Sequence, residues 1–275
     1  ALAGGVLGVM FVGRGWAAAE RSDLVHRTGN DRKLEIAKQA EKLGALDKVV
    51  HNLPRSVENA DLVLLCLPMD QIQETLEVIA PDLKEGAVVM DTSPVKEPVA
   101  AWAGELLPPE RHYVGLTPVI NVAYLHGVES GLEASRADLF KGGLLAIVTP
   151  PRTSPDALKL AADLTRLLGA SPFFADPAEM DGIMASTHVL PQLMAAALVN
   201  ATVDQPRWRE GNRMARRAYA EVGGPAAYLS LPKTVVSSVA LNRENVLRSI
   251  DGAIAALQAL RGDIDGENGE ALEEK

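Results

Sequence analysis

Two glycine clusters near the start of the chain have spacings suited to holding a phosphate. One is Gly4-Gly5, leading into the apolar stretch Val6–Arg14. The other is Gly13-Arg14-Gly15-Trp16-Ala17-Ala18, a G-x-G-x-x-A pattern that follows the apolar run Val6–Val12. Glycine lets the backbone come close to an anion, and a helix N-terminus behind it offers free N–H groups. The second cluster leaves about six residues for a helix before the next strand, short of the dozen or so that a strand–helix–strand crossover needs. The first cluster leaves room for a full helix over Val6–Arg14, and is favoured. It then requires a central strand that the rest of the sequence does not supply.

Downstream, Asp31 stands beside Arg32 and Lys33 after an expected strand over Asp23–Thr28. A carboxylate there can accept both ribose hydroxyls of an adenosine, which favours NAD. Arg32 and Lys33 can instead hold a 2′-phosphate, so NADP stays open. Leu67-Pro68-Met69 and Asp91-Thr92-Ser93 end two further apolar runs, and their backbones are expected to line the nicotinamide side of the same crevice.

Elements of the right kind exist to position these residues. Asp61–Leu67 and Ala87–Met90 are continuous apolar runs closed by Pro68 and Asp91, the pattern of strands buried on both faces of a parallel sheet. Tyr113–Leu116 and Leu144–Val148 read as two more strands. Leu34–Leu43, stopped by Gly44, and the amphipathic Gln71–Leu83 read as the helices between them. Alternating strands and helices predict an α/β fold with a Rossmann-type doubly wound sheet.

After Pro150-Pro151 the pattern changes. Ser154-Pro155-Asp156 is a helix start, with Ser154 as N-cap and Pro155 at the first helical position. Long helical patterns follow at Glu179–Val203, Trp208–Val222, Pro232–Ile250 and Asp251–Arg261, with Gly262–Lys275 expected to fray. The expected organisation is a dinucleotide-binding domain over residues 1–150 and an all-helical C-terminal domain over 151–275.

Composition narrows the function classes. The chain has 275 residues and a net charge of -9, so non-specific binding to nucleic acid is not expected. Its one cysteine, Cys66, lies in an apolar run and fits an inert core position in a reducing cytoplasm. The five histidines lack metal-type spacing, so no metal site is expected. The apolar stretch 182–203 is long enough to cross a bilayer. Its His188, Pro191, Gln192 and Asn200 favour instead a helix buried in a core or a subunit interface, with no membrane partner.

Several motifs in order resemble the prephenate/arogenate dehydrogenase family. They are Asn30-Asp31-Arg32 through Leu43-Gly44-Ala45-Leu46-Asp47; Ala60-Asp61 through Pro68; Asp91-Thr92-Ser93-Pro94-Val95-Lys96; Thr117-Pro118 with Glu129-Ser130-Gly131; Glu179-Met180-Asp181 leading to Leu190-Pro191; and Asn242-Arg243-Glu244-Asn245-Val246-Leu247. The resemblance spans most of residues 29–260. It implies an NAD(P)-dependent oxidative decarboxylation of a small cyclic carboxylate in tyrosine biosynthesis. It further implies a homodimer built on the helical domain, where Leu190–Val203 suits burial against a twin.

The polar positions depart from the family pattern. The family's histidine in its H-P pair falls at Thr117, which cannot act as a base at neutral pH. The serine of its S-V-K turn falls at Pro94, with Ser93 just before it. The two histidines of its S-H-L-P-H helix fall at Val189 and Gln192, with His188 one position early. Its arginine falls near Ala226. The candidate catalytic set is therefore His188, Ser93, Thr117, His126 and Gln192. The candidate cofactor set is Gly4, Gly5, Asp31, Arg32, Leu67, Pro68, Asp91 and Thr92. The alternatives are a dehydrogenase or reductase of another hydroxy acid or imine, and a non-catalytic protein that keeps the cofactor for regulation.

Overall fold

The structure is a computed structural model that describes residues 8–12, 26–125, 138–227, 232–267 and 269–273. It divides into two compact units, Ala1–Met180 and Asp181–Lys275.

The first unit is built on one sheet. Its strands are β1 (Gly8–Val12), β2 (His26–Asn30), β3 (Lys48–Val49), β4 (Leu62–Leu65), β5 (Val88–Asp91), β6 (His112–Val119), β7 (Leu144–Val148) and β8 (Ser171–Ala175). They lie in the order β3-β2-β1-β4-β5-β6-β7-β8. β2 and β3 are parallel, as are β4, β5 and β6 in succession, and β7 and β8. β7 reverses against β6, and β1 runs antiparallel to both β2 and β4. Gly8–Val12 is thus a strand that fills the central position between β2 and β4. This overturns the expected helix over Val6–Arg14 and the expected need for a further central strand.

The first, third and fifth helices of the first unit follow from the sequence pattern, and the second and fourth are not expected from it. In order they are α1 (Leu34–Lys42), α2 (Leu53–Val57), α3 (Met69–Ile79), α4 (Glu97–Leu106) and α5 (Pro155–Leu167). In α3 the buried residues Met69, Ile72, Leu76 and Ile79 recur every three or four positions, which gives one apolar stripe. α1 is followed by Gly44 at φ +75°, a left-handed position that glycine adopts without a Cβ penalty. α5 begins as expected, with Ser154 accepting a hydrogen bond from the Asp156 N–H at 3.3 Å.

Side chains alternate across each strand, so the two faces of the sheet pack on different helices. Val63, Leu65 and Val89 meet Ile72, Leu76 and Ile79 of α3 and Val99 and Ala103 of α4. Leu62, Val88, Met90, Val114, Leu116, Leu145 and Ile147 meet Ala157, Ala161 and Leu164 of α5 on the other face. Burial on both faces explains the unbroken apolar runs. Each fully buried Val or Leu there contributes roughly 1.5–3 kcal/mol. Because α5 packs on this sheet and β8 extends it, the division between units falls at 180/181 and the expected boundary at residue 150 lies inside the first unit.

The second unit is helical. The helix Pro177–Val203 consists of α6 (Pro177–Met184), a π-helical turn (Ala185–Val189) and α7 (Leu190–Val203). By length and composition it is apolar enough to cross a membrane, and 17% of its most apolar window is buried within the chain. α8 (Trp208–Met214), α9 (Arg217–Ala227), α10 (Pro232–Leu241), α11 (Arg243–Asp265) and α12 (Gly269–Glu273) complete it. Two expectations change here. The break between the late helices falls at Asn242 rather than after Ile250, and most of the stretch expected to fray is helical. Asn242 leaves helical geometry, at φ −114° and ψ 32°, and its side chain donates to the Asp181 carbonyl at 2.8 Å. That tertiary contact, made across the fold, sets the break.

Candidate dinucleotide site at the carboxyl edge of the sheet

Strand register lines up the candidate residues of the first unit. Leu65 of β4 pairs with Asp91 of β5, Asp91 with Gly115 of β6, and Gly115 with Val148 of β7. The segments Cys66-Leu67-Pro68 and Thr92-Ser93 therefore leave adjacent strands at the same level. In parallel sheets this edge is where ligands bind.

Asp31 follows β2 at that edge and is 5% exposed. Its Oδ1 accepts the Lys33 N–H at 2.6 Å, and its Oδ2, also buried, has no hydrogen-bond partner among the described residues. Burial raises its pKa from the usual carboxylate value, opposed by the Lys33 N–H and the Lys33 charge. A buried carboxylate oxygen without a donor is costly, and two vicinal hydroxyls would satisfy it.

A cavity of about 250 Å³ opens at the positions on either side of it in sequence, lined by Asn30, Arg32, Leu67, Gln71, Thr75 and Val78 among others, though not by Asp31 itself. Asn30 holds one wall in place by donating to the Val50 and His51 carbonyls at 2.8 and 3.0 Å. Arg32 is exposed at the mouth, while Leu67 and Pro68 are partly exposed at the end of β4. The residues present fit an adenosine: an acceptor for ribose, apolar walls for a base, and a cation nearby.

Asp91 is wired differently. It has no exposed surface. Oδ1 accepts the Tyr113 hydroxyl at 2.6 Å. Oδ2 accepts the Ser93 N–H at 2.7 Å, the Lys96 ammonium at 2.9 Å and the Ser93 hydroxyl. Lys96 is also fully buried and donates to the Asp91 carbonyl at 3.2 Å. Gly115 makes room for this, since a Cβ there would stand 2.9 Å from Lys96 Cδ and 3.0 Å from the Tyr113 oxygen. The network fixes the turn from β5 into α4. Sequence reasoning missed it, although an aspartate closing an apolar run five residues before a lysine carried the signal. Ser93 is 2% exposed and its hydroxyl is engaged with Asp91 and the Val95 carbonyl. Thr92 remains partly exposed, and its N–H donates to the Leu65 carbonyl at 3.0 Å.

Thr117 lies on β6 and is 8% exposed, with its hydroxyl unpaired among the described residues. Cys66 is partly exposed as a residue, yet burial of its thiol pushes the pKa up to about 11, as an inert cysteine requires. Asn121 bonds the Lys141 carbonyl and the Ala123 N–H and so serves its own loop.

In the second unit His188 and Gln192 come together. His188 sits in the π turn, where one turn of helix holds an extra residue and carbonyls lose their usual partners. Gln192 donates to the His188 carbonyl at 2.9 Å, and Ser186 and Thr187 donate to Ile183. His188 is exposed as a residue, but partial burial of its ring lowers its pKa from the usual value. Ala226 is half-buried on α9. Gly4, Gly5 and His126 lie outside the described residues.

Comparison with known proteins bears on these arrangements. Residues 17–172 match the nucleotide-binding domain of prephenate dehydrogenase. A prephenate dehydrogenase of Bacillus subtilis is 24% identical over 89% of this chain, which spans 64% of that protein's length. A cyclohexadienyl dehydrogenase of Zymomonas mobilis is 25% identical over 97% of this chain and 90% of its own. In fold, the chain is similar to an A. aeolicus prephenate dehydrogenase solved with hydroxyphenyl propionate and NAD+, at TM-score 0.79, 24% identity and coverage of 90% and 84% of the two chains. It is similar to a Synechocystis arogenate dehydrogenase at TM-score 0.72, 21% identity and coverage of 90% and 86%. With its nucleotide-binding domain matched over more than half of its length, the chain belongs to the prephenate dehydrogenase family.

Proposed function

We propose that the chain is an NAD-dependent oxidoreductase that removes a hydride from a cyclic hydroxy carboxylic acid of the prephenate or arogenate type. The observation that carries the cofactor half is the buried Oδ2 of Asp31 at the carboxyl edge of the sheet, without a hydrogen-bond partner among the described residues and between Asn30 and Arg32 of a neighbouring cavity's wall. Asp31 accepts the ribose hydroxyls. Its charge disfavours a 2′-phosphate, so NAD is preferred over NADP, with Arg32 and Lys33 as the residues that would make room for the latter. Leu67, Pro68 and Thr92 line the edge, while Asp91 acts from behind it through Ser93 and Lys96. When bound, the nicotinamide supplies the hydride acceptor.

Oxidation of an alcohol also needs a group to take its proton. Thr117 can only donate or accept a hydrogen bond there. His188 is a described residue suited to proton removal, since partial burial of its ring lowers its pKa and favours the neutral, proton-accepting form. Gln192 donates to the His188 main-chain carbonyl, and His126 remains a second candidate. Similarity to prephenate, cyclohexadienyl and arogenate dehydrogenases supports the substrate class. The chain is further read as a cytoplasmic homodimer joined through α7, without a nucleic-acid or membrane partner.

A second reading is favoured by two positions. Thr117 and Ala226 stand where the family pattern has a histidine and an arginine, which favours another hydroxy acid or imine as substrate, or a cofactor-binding regulator without turnover. Titration with NAD and NADP, followed by addition of prephenate and arogenate with NAD(P)H absorbance as readout, separates these. Binding with reduction supports the first reading. Binding without reduction leaves the second, and binding of neither cofactor overturns both.

A further inference from the structure

The turn that leaves β5 is held from two sides. Thr92 is tied to β4, its N–H donating to the Leu65 carbonyl at 3.0 Å. Ser93 is tied inward, with its N–H and its hydroxyl both on Asp91 Oδ2. Lys96 closes the turn by donating to the carboxylate and the carbonyl of Asp91, at 2.9 and 3.2 Å. Asp91, Ser93, Val95 and Lys96 are buried, which leaves Thr92 and Pro94 as the half-buried residues that face outward.

Tyr113 holds the other oxygen of Asp91. β5 and β6 pair in parallel, with Val89 opposite Tyr113 and Asp91 opposite Gly115. Tyr113 and Asp91 therefore share one face of the sheet, two positions apart. Gly115 has no side chain to stand between them, and the Tyr113 hydroxyl donates to Asp91 Oδ1 at 2.6 Å. A buried ion pair is a weak source of stability, because desolvation of both charges offsets their attraction. Hydrogen bonds to an ionised group are nonetheless short and directional. With Tyr113 on one oxygen and Lys96 on the other, the carboxylate is locked in rotation, and the Ser93 N–H that it accepts is fixed with it. The Thr92–Ser93 peptide is thus placed from behind, at the edge where parallel sheets bind ligands.

We infer that Tyr113 is a positioning residue for the nicotinamide half of the cofactor: acting through Asp91, it sets the Thr92–Ser93 turn against which that half binds. This rests on the cofactor reading above and adds to it a residue that touches no ligand. Asp31 follows β2, three strands away from β5 in the sheet, so the adenosine and nicotinamide halves can be weakened separately.

The test is calorimetric titration of NADH and of ADP-ribose, which lacks the nicotinamide ring, into the intact protein and its variants, with thermal melts as the check on folding. The wild type is expected to bind NADH more tightly than ADP-ribose. Tyr113→Phe removes the hydroxyl alone, and is expected to weaken NADH about tenfold while ADP-ribose stays within about twofold. Ser93→Ala takes one donor from the same carboxylate and shifts the two affinities in the same sense by a smaller factor; it decides the matter where Tyr113→Phe does not fold. Ser154→Ala removes the cap of α5, outside this network, and leaves both affinities unchanged, so lost stability alone does not produce the effect. Equal weakening of both ligands by Tyr113→Phe, or of neither, overturns the positioning role and leaves the cofactor site standing. A wild type that binds the two ligands equally overturns it as well, since the ring then gains nothing from the turn. Failure of the wild type to bind either ligand overturns the cofactor reading and this inference together.

Discussion

Asp31 and Asp91 both stand at strand ends on the carboxyl edge of the sheet, and both are buried, yet their oxygens are used in opposite ways. Asp91 has donors on both oxygens and a buried lysine against it. Asp31 has one oxygen satisfied and one left over. The first carboxylate is a structural part, complete without a ligand. The second is incomplete among the described residues, and a spare acceptor at the ligand-binding edge of the sheet suits the hydroxyls of a ribose. Burial alone does not separate the two cases, whereas counting donors does.

Breaking the Asp91 side has the largest expected effect on stability. Lys96→Met leaves a buried carboxylate without its cation and lowers unfolding free energy by about 3–5 kcal/mol, measured by urea denaturation. Gly115→Ala forces Lys96 aside and costs about 1–3 kcal/mol in the same assay. On the Asp31 side the order inverts. Asp31→Asn keeps an acceptor for the Lys33 N–H and removes a buried charge, so stability at neutral pH changes by less than about 1 kcal/mol. NAD affinity in a calorimetric titration falls about tenfold to a hundredfold, as loss of hydrogen bonds to a charged group implies.

The pH dependence sharpens the contrast within β2 and its neighbours. Asp31 has a raised pKa, so its folded form holds a proton more tightly than the unfolded chain does. Its contribution to stability is greatest below the unfolded value and is lost as pH rises through the folded one. Asp47 has the reverse sign, because the Arg27 guanidinium and N–H hold its carboxyl down to about 2. Its contribution is present above the unfolded value and is lost as pH falls through about 2. Asp47→Asn costs only about 0.2–1 kcal/mol at neutral pH, since the pair is partly exposed. The difference from wild type closes in acid, which a pH series of thermal melts reads directly.

Much of the fold was legible because both faces of the sheet are covered. Double-sided burial writes itself as unbroken apolar runs: β4 and β7 fall within the segments read from the sequence, and β5 runs one residue past its own, to Asp91. β3 and α2 escaped because two and five residues carry too little periodicity. The central strand was misread because an apolar run preceded and followed by glycines suits either a helix or a strand. The breaks at Asn242 and at the π turn depend on side chains reaching distant or freed carbonyls, which local patterning does not encode. At the candidate site, residue types were legible and directions were not. Ser93 was read as a group for substrate, and the structure turns its hydroxyl onto Asp91. Asp31 was read for what its position suggests, and the structure adds the spare oxygen that gives the reading its physical force.

The most direct test is calorimetric titration of NAD into the wild-type protein and into Asp31→Asn, with unfolding free energy measured on the same samples. The account predicts that the wild type binds NAD, that the variant binds it at least about tenfold more weakly, and that the two unfold alike. Equal NAD affinity for both proteins, or no binding by a folded wild type, would contradict the assignment of Asp31 and of the edge it marks.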